Sequence, residues 1–193
     1  MVADPIQVAL LVADALEACG LRYLVGGSLA SSISGEPRST LDVDLVVAMS
    51  EADIEPLLAA LGEEFHAEQE AMRRAIREKS SANLIHYPTS AKVDLFVLGG
   101  SPLDKKQMDR RRRIRVATDP DRYLYVYTPE DILLQKLRWY RMGNEISDRQ
   151  WRDILGIVLV QAGGMDEDYL RRGAEVLGVS DLLDRALRKD SSR

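Results

Sequence analysis

The sequence predicts an α/β (α+β) protein in two parts: residues 1–127 mix strands and helices, and residues 128–193 form a helical part packed on them. Two observations carry this. Short Val- and Leu-rich runs bounded by Gly, Pro and Ser alternate with segments of helical periodicity as far as Tyr127. From Thr128 onward the chain shows only helix starts, helical spacing and helix stops. No internal repeat or low-complexity tract interrupts either part.

Each element follows in order. Asp4 and Pro5 supply an N-cap and a first-position proline, Val8, Leu11, Val12, Ala15 and Cys19 recur at helical spacing, and Gly20 closes the helix. Cys19 reads as a small hydrophobe on that stripe. Leu21 to Val25 is a short strand that stops at Gly26-Gly27-Ser28, before a small-residue helix or turn from Leu29 to Ser34. Gly35 to Thr40 is a loop by its Gly and Pro. Leu41 to Ala48 is a second strand, and Ser50 caps a helix with Ile54, Leu57, Leu58 and Leu61 on one face. Residues 66–81 read as a polar helix and a loop. Asn83 to His86 and Lys92 to Leu98 are strands joined by a turn at Tyr87-Pro88-Thr89-Ser90. Gly99-Gly100-Ser101-Pro102 breaks the chain before a short helix, and Arg113 to Ala117 and Tyr123 to Tyr127 are the last strands. Thr128-Pro129-Glu130-Asp131 and Ser147-Asp148-Arg149-Gln150 open helices by their capping residues, with two more from about 166 to 177 and 180 to 189.

Composition narrows the chemistry. The 193 residues are 46% hydrophobic and 30% charged, with a net charge of −5. That is enough chain to bury a core without disulfides or metals. The acidic balance disfavours binding a nucleic-acid backbone through the overall field, though a local basic patch remains able to do so. One cysteine and two histidines exclude a disulfide framework and a multi-cysteine zinc site and leave little histidine-based metal chemistry. The longest apolar runs, 8–13 and 155–160, fall far short of the ~20 residues that span a bilayer. No basic stretch precedes the first apolar residues, so no signal peptide is expected. The expectation is a soluble, cytoplasmic protein with no membrane partner.

Chemistry concentrates on Leu41-Asp42-Val43-Asp44-Leu45. Alternation puts Leu41, Val43 and Leu45 on one sheet face and Asp42 and Asp44 on the other. Two neighbouring carboxylates repel and have poor strand propensity. Either they form a solvated edge-strand face, or a divalent cation such as Mg²⁺ bridges them. Lys92-Val93-Asp94-Leu95-Phe96 repeats the theme, and an adjacent strand would bring Asp94 beside the pair. Gly26-Gly27-Ser28 is a sharp strand-to-helix turn suited to cradling an anion.

Gly26-Gly27-Ser28, thirteen intervening residues, Asp42-Val43-Asp44 and a later strand Asp94 together resemble the nucleotidyltransferase superfamily with the polymerase-beta-like fold. The wider runs Leu24 to Ser28, Gly35 to Leu45, and Thr128 to Asp131 with Lys136 look like its AbiEii-type, toxin-related branch of small bacterial nucleotidyltransferases. The thirteen-residue gap is at the long end for the superfamily. The resemblance implies a mixed sheet with flanking helices. It also implies transfer of an NMP group from a nucleoside triphosphate to an acceptor, with pyrophosphate released. Asp42, Asp44 and Asp94 match the carboxylates that hold two Mg²⁺ ions, Asp94 being the candidate to activate the acceptor. Gly26, Gly27 and Ser28 match the turn that holds the β and γ phosphates. Lys136, on the apolar face of its helix, either snorkels outward or needs an anion, which a triphosphate would supply. Arg38 matches a basic position of that branch; otherwise it is a solvated loop residue. Acceptors in view are RNA, protein or a small molecule, and a cognate partner protein belongs to the same picture.

The remaining features read more blandly. Arg110 to Arg113, with Lys105, Lys106 and Arg115, is a solvated helix end neutralised by Asp104 and Asp109, or else a steering patch for a triphosphate or RNA. Few aromatics interleave it in sequence. Asp148, Arg149, Arg152 and Asp153 resemble the basic-acidic motif of the family's C-terminal helix, but the favoured reading is an i,i+4 surface pair of Arg149 with Asp153; Trp139 and Trp151 are helix-packing core, and His66 and His86 have no partner pattern. Three function classes compete. The leading one is a Mg²⁺-dependent nucleotidyltransferase. The second is a non-catalytic nucleotide-sensing or partner-binding member of a toxin–antitoxin-like pair. The third is a calcium-binding interaction module, which the Gly-Gly-Ser turn and Lys136 disfavour.

Overall fold

The computed structural model describes residues 4–36 and 42–190, to backbone level at 189 and 190. Among them, seven strands form one mixed sheet: β1 (Arg22–Val25), β2 (Val43–Ala48), β3 (Phe65–Ala67), β4 (Ser81–His86), β5 (Ala91–Val97), β6 (Arg112–Thr118) and β7 (Asp121–Val126). Their order is β3-β4-β5-β2-β1-β7-β6. The β2–β5 and β1–β7 pairs are parallel and the others antiparallel. The helices are α1 (Pro5–Ala18), α2 (Gly27–Ser34), α3 (Ile54–Leu61), α4 (Gln69–Glu78), α5 (Pro102–Arg110), α6 (Pro129–Met142), α7 (Asp148–Val160), α8 (Glu167–Leu177) and α9 (Ser180–Asp190). Two compact units result, Met1–Leu29 with Ser39–Val126, and Ala30–Arg38 with Tyr127–Arg193. No helix among the described residues is long and apolar enough to cross a membrane.

The first unit contains the whole sheet. Alternation is cleanest in its centre: Val43, Leu45 and Val47 of β2 are fully buried, as is Val93 of β5, with Leu95 and Val97 nearly so. Strand β2 begins at Val43, so Asp42 precedes the ladder instead of lying within it, and Leu41 falls outside the described residues. The Asp4 carboxylate accepts the Ile6 N–H at 2.9 Å and caps α1. The apolar face of α1 is broader than the sequence stripe. It runs through Val8, Ala9, Leu10, Val12, Ala13, Ala15 and Leu16, because α1 packs on both the sheet and α3. Leu11 is consequently 41% exposed, and Cys19 stands half-buried beyond the helix as its C-cap. The sequence reading of 66–81 misses β3, which pairs Phe65 with His86 of β4. Three residues at a sheet edge are too few to display a period of two.

In the second unit, Thr128 caps α6: its hydroxyl accepts the Asp131 N–H at 3.2 Å and donates to the Asp131 carboxylate at 2.9 Å. Asp131 is fully buried, and the Tyr169 hydroxyl of α8 donates to it at 2.6 Å. Glu130 accepts the Asp166 N–H at 3.1 Å, tying the starts of α6 and α8 together. Gly35 packs so closely on α7 that a Cβ would come within 2.9 Å of the Ile157 nitrogen. Trp151 is buried against Tyr140, with the Arg185 guanidinium 4.2 Å over its ring. Trp139, expected in the core, is 47% exposed because the buried stripe of α6 runs through Ile132, Leu133, Leu137 and Tyr140.

A buried carboxylate that loses one of its donors gives up part of the bonding that offsets its desolvation. Tyr169→Phe is therefore expected to lower unfolding free energy by about 1–3 kcal/mol, read as a fall in the urea midpoint with the m-value unchanged.

Candidate active site

Strand β1 stops at Val25 because the two glycines that follow do different work. The Gly26 N–H donates to the Asp44 carbonyl at 2.8 Å, extending the β1–β2 ladder one position past the Val25–Leu45 pair. Gly27 has φ +54°, and a Cβ on it would run into the Asp44 carboxylate. Only glycine lets the chain turn into α2 with that carboxylate lying against its Cα. Asp44 thus stands at the amino-terminal end of α2, where the helix dipole favours negative charge, and Ser28 follows in the first turn.

The parallel pairing of β2 and β5 sets Asp44 directly opposite Asp94, flanked by the apolar pairs Val43–Val93 and Leu45–Leu95. Both aspartates leave the sheet on the face opposite those buried residues. Asp42 lies exposed just ahead of β2. On the far side of β5, the register places Asn83 of β4 against Asp94.

Lys92, two residues before Asp94, shares its face. The Lys92 Nζ lies 2.9 Å from one Asp94 carboxylate oxygen and 3.1 Å from the other. The Asp94 hydrogen bond, and the charges of Asp94, Asp42 and Asp44 after it, hold this ammonium above the usual lysine range. All three candidate carboxylates therefore act on one cationic head. The sequence reading passes over Lys92, although strand alternation alone puts it beside Asp94.

The donor set fits a hard divalent cation. No group of three or more His, Cys, Asp or Glu among the described residues is close enough to hold a metal ion unaided. Mg²⁺, however, is ordinarily bound by one or two carboxylates, with waters and substrate phosphates completing its shell. Asp44 and Asp94, opposed in register, supply such a pair, and Asp94 already accepts one cationic head, the Lys92 ammonium.

The other candidates lie elsewhere or differ from their expected surroundings. Arg38 is outside the described residues. Lys136 belongs to the second unit, where its ammonium meets the Asp153 carboxylate at 2.8 Å, with 9% and 7% of the two side chains exposed. Asp153, which the i,i+4 spacing assigned to a surface pair with Arg149, is thus buried and holds Lys136. The basic cluster straddles the end of α5, which closes at Arg110, and the start of β6 at Arg112. Asp104 caps α5 through Ser101, and Asp109 pairs with Arg22. Arg113 stacks over Tyr123 at 3.9 Å and Arg111 over Tyr125 at 4.6 Å, so aromatics absent from the linear cluster arrive from β7 across the hairpin.

No protein-family model matches the chain, and no curated protein matches it. Solved structures share its fold. The antibiotic-resistance factor ANT(2'')-Ia, in complex with adenylyl-2''-tobramycin, aligns with a TM-score of 0.60 at 9% identity over 90% of this chain and 96% of that one. An antigenic nucleotidyltransferase-like protein from Paracoccidioides brasiliensis gives 0.56 at 20% identity over 95% and 91%. The lincosamide antibiotic adenylyltransferase LnuA, lincomycin-bound, gives 0.53 at 13% identity over 82% and 98%. The mixed sheet and its helices therefore form a nucleotidyltransferase-like fold.

Two stability measurements check this geometry. Gly27→Ala should cost about 1–3 kcal/mol from the left-handed backbone alone, and more where Asp44 must be displaced. Lys136→Met should cost about 3–5 kcal/mol by removing the ammonium that the Asp153 carboxylate meets at 2.8 Å, whereas Lys136→Met with Asp153→Leu should recover most of that loss. Chemical denaturation of the three variants reads both.

Proposed function

We propose that this chain is a Mg²⁺-dependent nucleotidyltransferase that moves an NMP group from a nucleoside triphosphate to an acceptor hydroxyl and releases pyrophosphate. The observation that carries the reading is the junction of Gly27, Asp44 and Asp94: a glycine turn at a helix start, closed over by one carboxylate and faced by a second. The nucleotidyltransferase-like fold supports it, as do adenylyltransferases among the structures that share that fold.

In this reading the turn Gly26-Gly27-Ser28 binds the β and γ phosphates through backbone amides and a hydroxyl. Asp42, Asp44 and Asp94 are the metal-holding residues, and bound Mg²⁺, as one ion or two, supplies charge stabilisation to the attacking and leaving oxygens. Asp94 accepts the proton of the acceptor hydroxyl as its oxygen bonds to the α-phosphorus. The bond from that phosphorus to the bridging oxygen breaks, and pyrophosphate leaves with the electron pair. Lys136 and Arg38 enter as phosphate-binding residues on the resemblance alone, since Lys136 already meets an anion in Asp153. Thr128 to Asp131 with Lys136, and the run Gly35 to Leu45, support the AbiEii-type, toxin-related branch.

ATP with Mg²⁺, at about 100 times its Kd, should raise the melting temperature by about 5 °C or more, and Asp42→Asn with Asp44→Asn should remove the shift. An unchanged shift in the double variant overturns the metal-holding assignment. Incubation with α-labelled NTPs and separate RNA, protein and small-molecule fractions should move label onto one of them, which identifies the acceptor class. Binding without transfer to any fraction favours the non-catalytic, nucleotide-sensing or partner-binding reading instead.

A further inference from the structure

The transfer reaction leaves Lys92 unused, yet its ammonium lies against Asp94, one of the carboxylates on which that reaction depends. Its contact with Asp94 is two-pronged, 2.9 Å and 3.1 Å to the two oxygens of one carboxylate. Those are the lone pairs a hard cation entering this site would take. Asp44 and Asp94 stand opposite each other in register, a like-charge pairing that is destabilising unless a counter-charge relieves it. Lys92 provides that charge from a position two residues away on the same strand face.

The Lys92 side chain is 49% exposed and Asp94 21% exposed. A flexible four-carbon stem half in solvent lets the ammonium leave without repacking the core. The buried residues beneath it, Val93 and Leu95, are fixed independently of the lysine head. The contact is therefore strong enough to compete for Asp94 and loose enough to be displaced.

We propose that Lys92 is a tethered counter-cation that competes with a divalent metal for Asp94, lowering the affinity of the site for free metal. The proposal rests on the metal-holding reading of Asp42, Asp44 and Asp94. Its readout is metal binding in the absence of nucleotide, so it does not depend on turnover.

The test is titration of the full chain with Mn²⁺ alone, followed by electron paramagnetic resonance of the free ion. Lys92→Met should bind Mn²⁺ about tenfold more tightly than the wild type. Lys92→Arg, which keeps the positive charge, should stay near the wild-type affinity. Adding Asp94→Asn to Lys92→Met should abolish the gain. Lys92→Gln, with circular dichroism to check folding, gives the same comparison should the methionine variant fold poorly. Equal affinities for wild type and the uncharged variants overturn the proposal while leaving the metal site standing. A gain that survives Asp94→Asn overturns it by locating the ion elsewhere. Absence of Mn²⁺ binding in every variant, with and without ATP, overturns the metal-holding reading and this proposal together.

Discussion

The Asp44 carboxylate is carried by a central strand whose alternate residues are fully buried, and that constraint organises its surroundings. A charged group in that position needs an open place to project and electrostatic relief. Gly27 provides the place by having no Cβ, and its positive φ turns the chain at the same residue so that a helix start provides the relief. The Gly26 N–H on the Asp44 carbonyl fixes the strand so that the carboxylate cannot drift along the turn. Sequence proximity is not involved, since Gly27 and Asp44 are distant in the chain and meet only through the pairing of β1 with β2.

Beyond Asp44, charge balance sets the design. Parallel pairing with β5 adds a second aspartate directly opposite, which concentrates negative charge at one spot in a chain already at net −5. Lys92 answers it at half-exposed depth, where an ion pair is worth little for stability and is readily exchanged. The second unit handles charge differently. Lys136 and Asp153 are almost wholly buried together, and Asp131 is buried with Thr128 and Tyr169. Removing one partner there weakens the compensation of a charge held in low dielectric. One arrangement suits exchange and the other suits permanence.

Local features were legible in the sequence, and lateral ones were not. Asp4, Ser101, Thr128 and Ser147 announce helix starts because capping is a contact within three residues. Val43, Leu45, Val93 and Leu95 announce strands because burial alternates along them. The start of β2 after Asp42 and the existence of β3 depend on pairing partners far away in sequence, as does the exposure of Leu11 and Trp139 on helices whose buried faces are set by what packs against them. Asp94 beside Asp44 was readable only as an option, since nothing in a strand names its neighbour. Tyr123 and Tyr125 reach the arginines only through the β6–β7 register. Lys92 is the exception: alternation along β5 puts it on the Asp94 face with no lateral information needed.

The motifs that carry the resemblance to nucleotidyltransferases do different structural work. Gly27, Asp44 and Asp94 converge on one spot and combine a turn, a helix start and opposed carboxylates, an arrangement that costs stability and has no evident packing purpose. Thr128, Glu130 and Asp131 commit their hydrogen bonds to α6 and α8, capping one and fastening it to the other. The Thr-Pro-Glu-Asp run thus does structural work inside a helical unit. The carboxylates of the sheet differ: Asp44 and Asp94 face each other across strands whose alternate residues are buried.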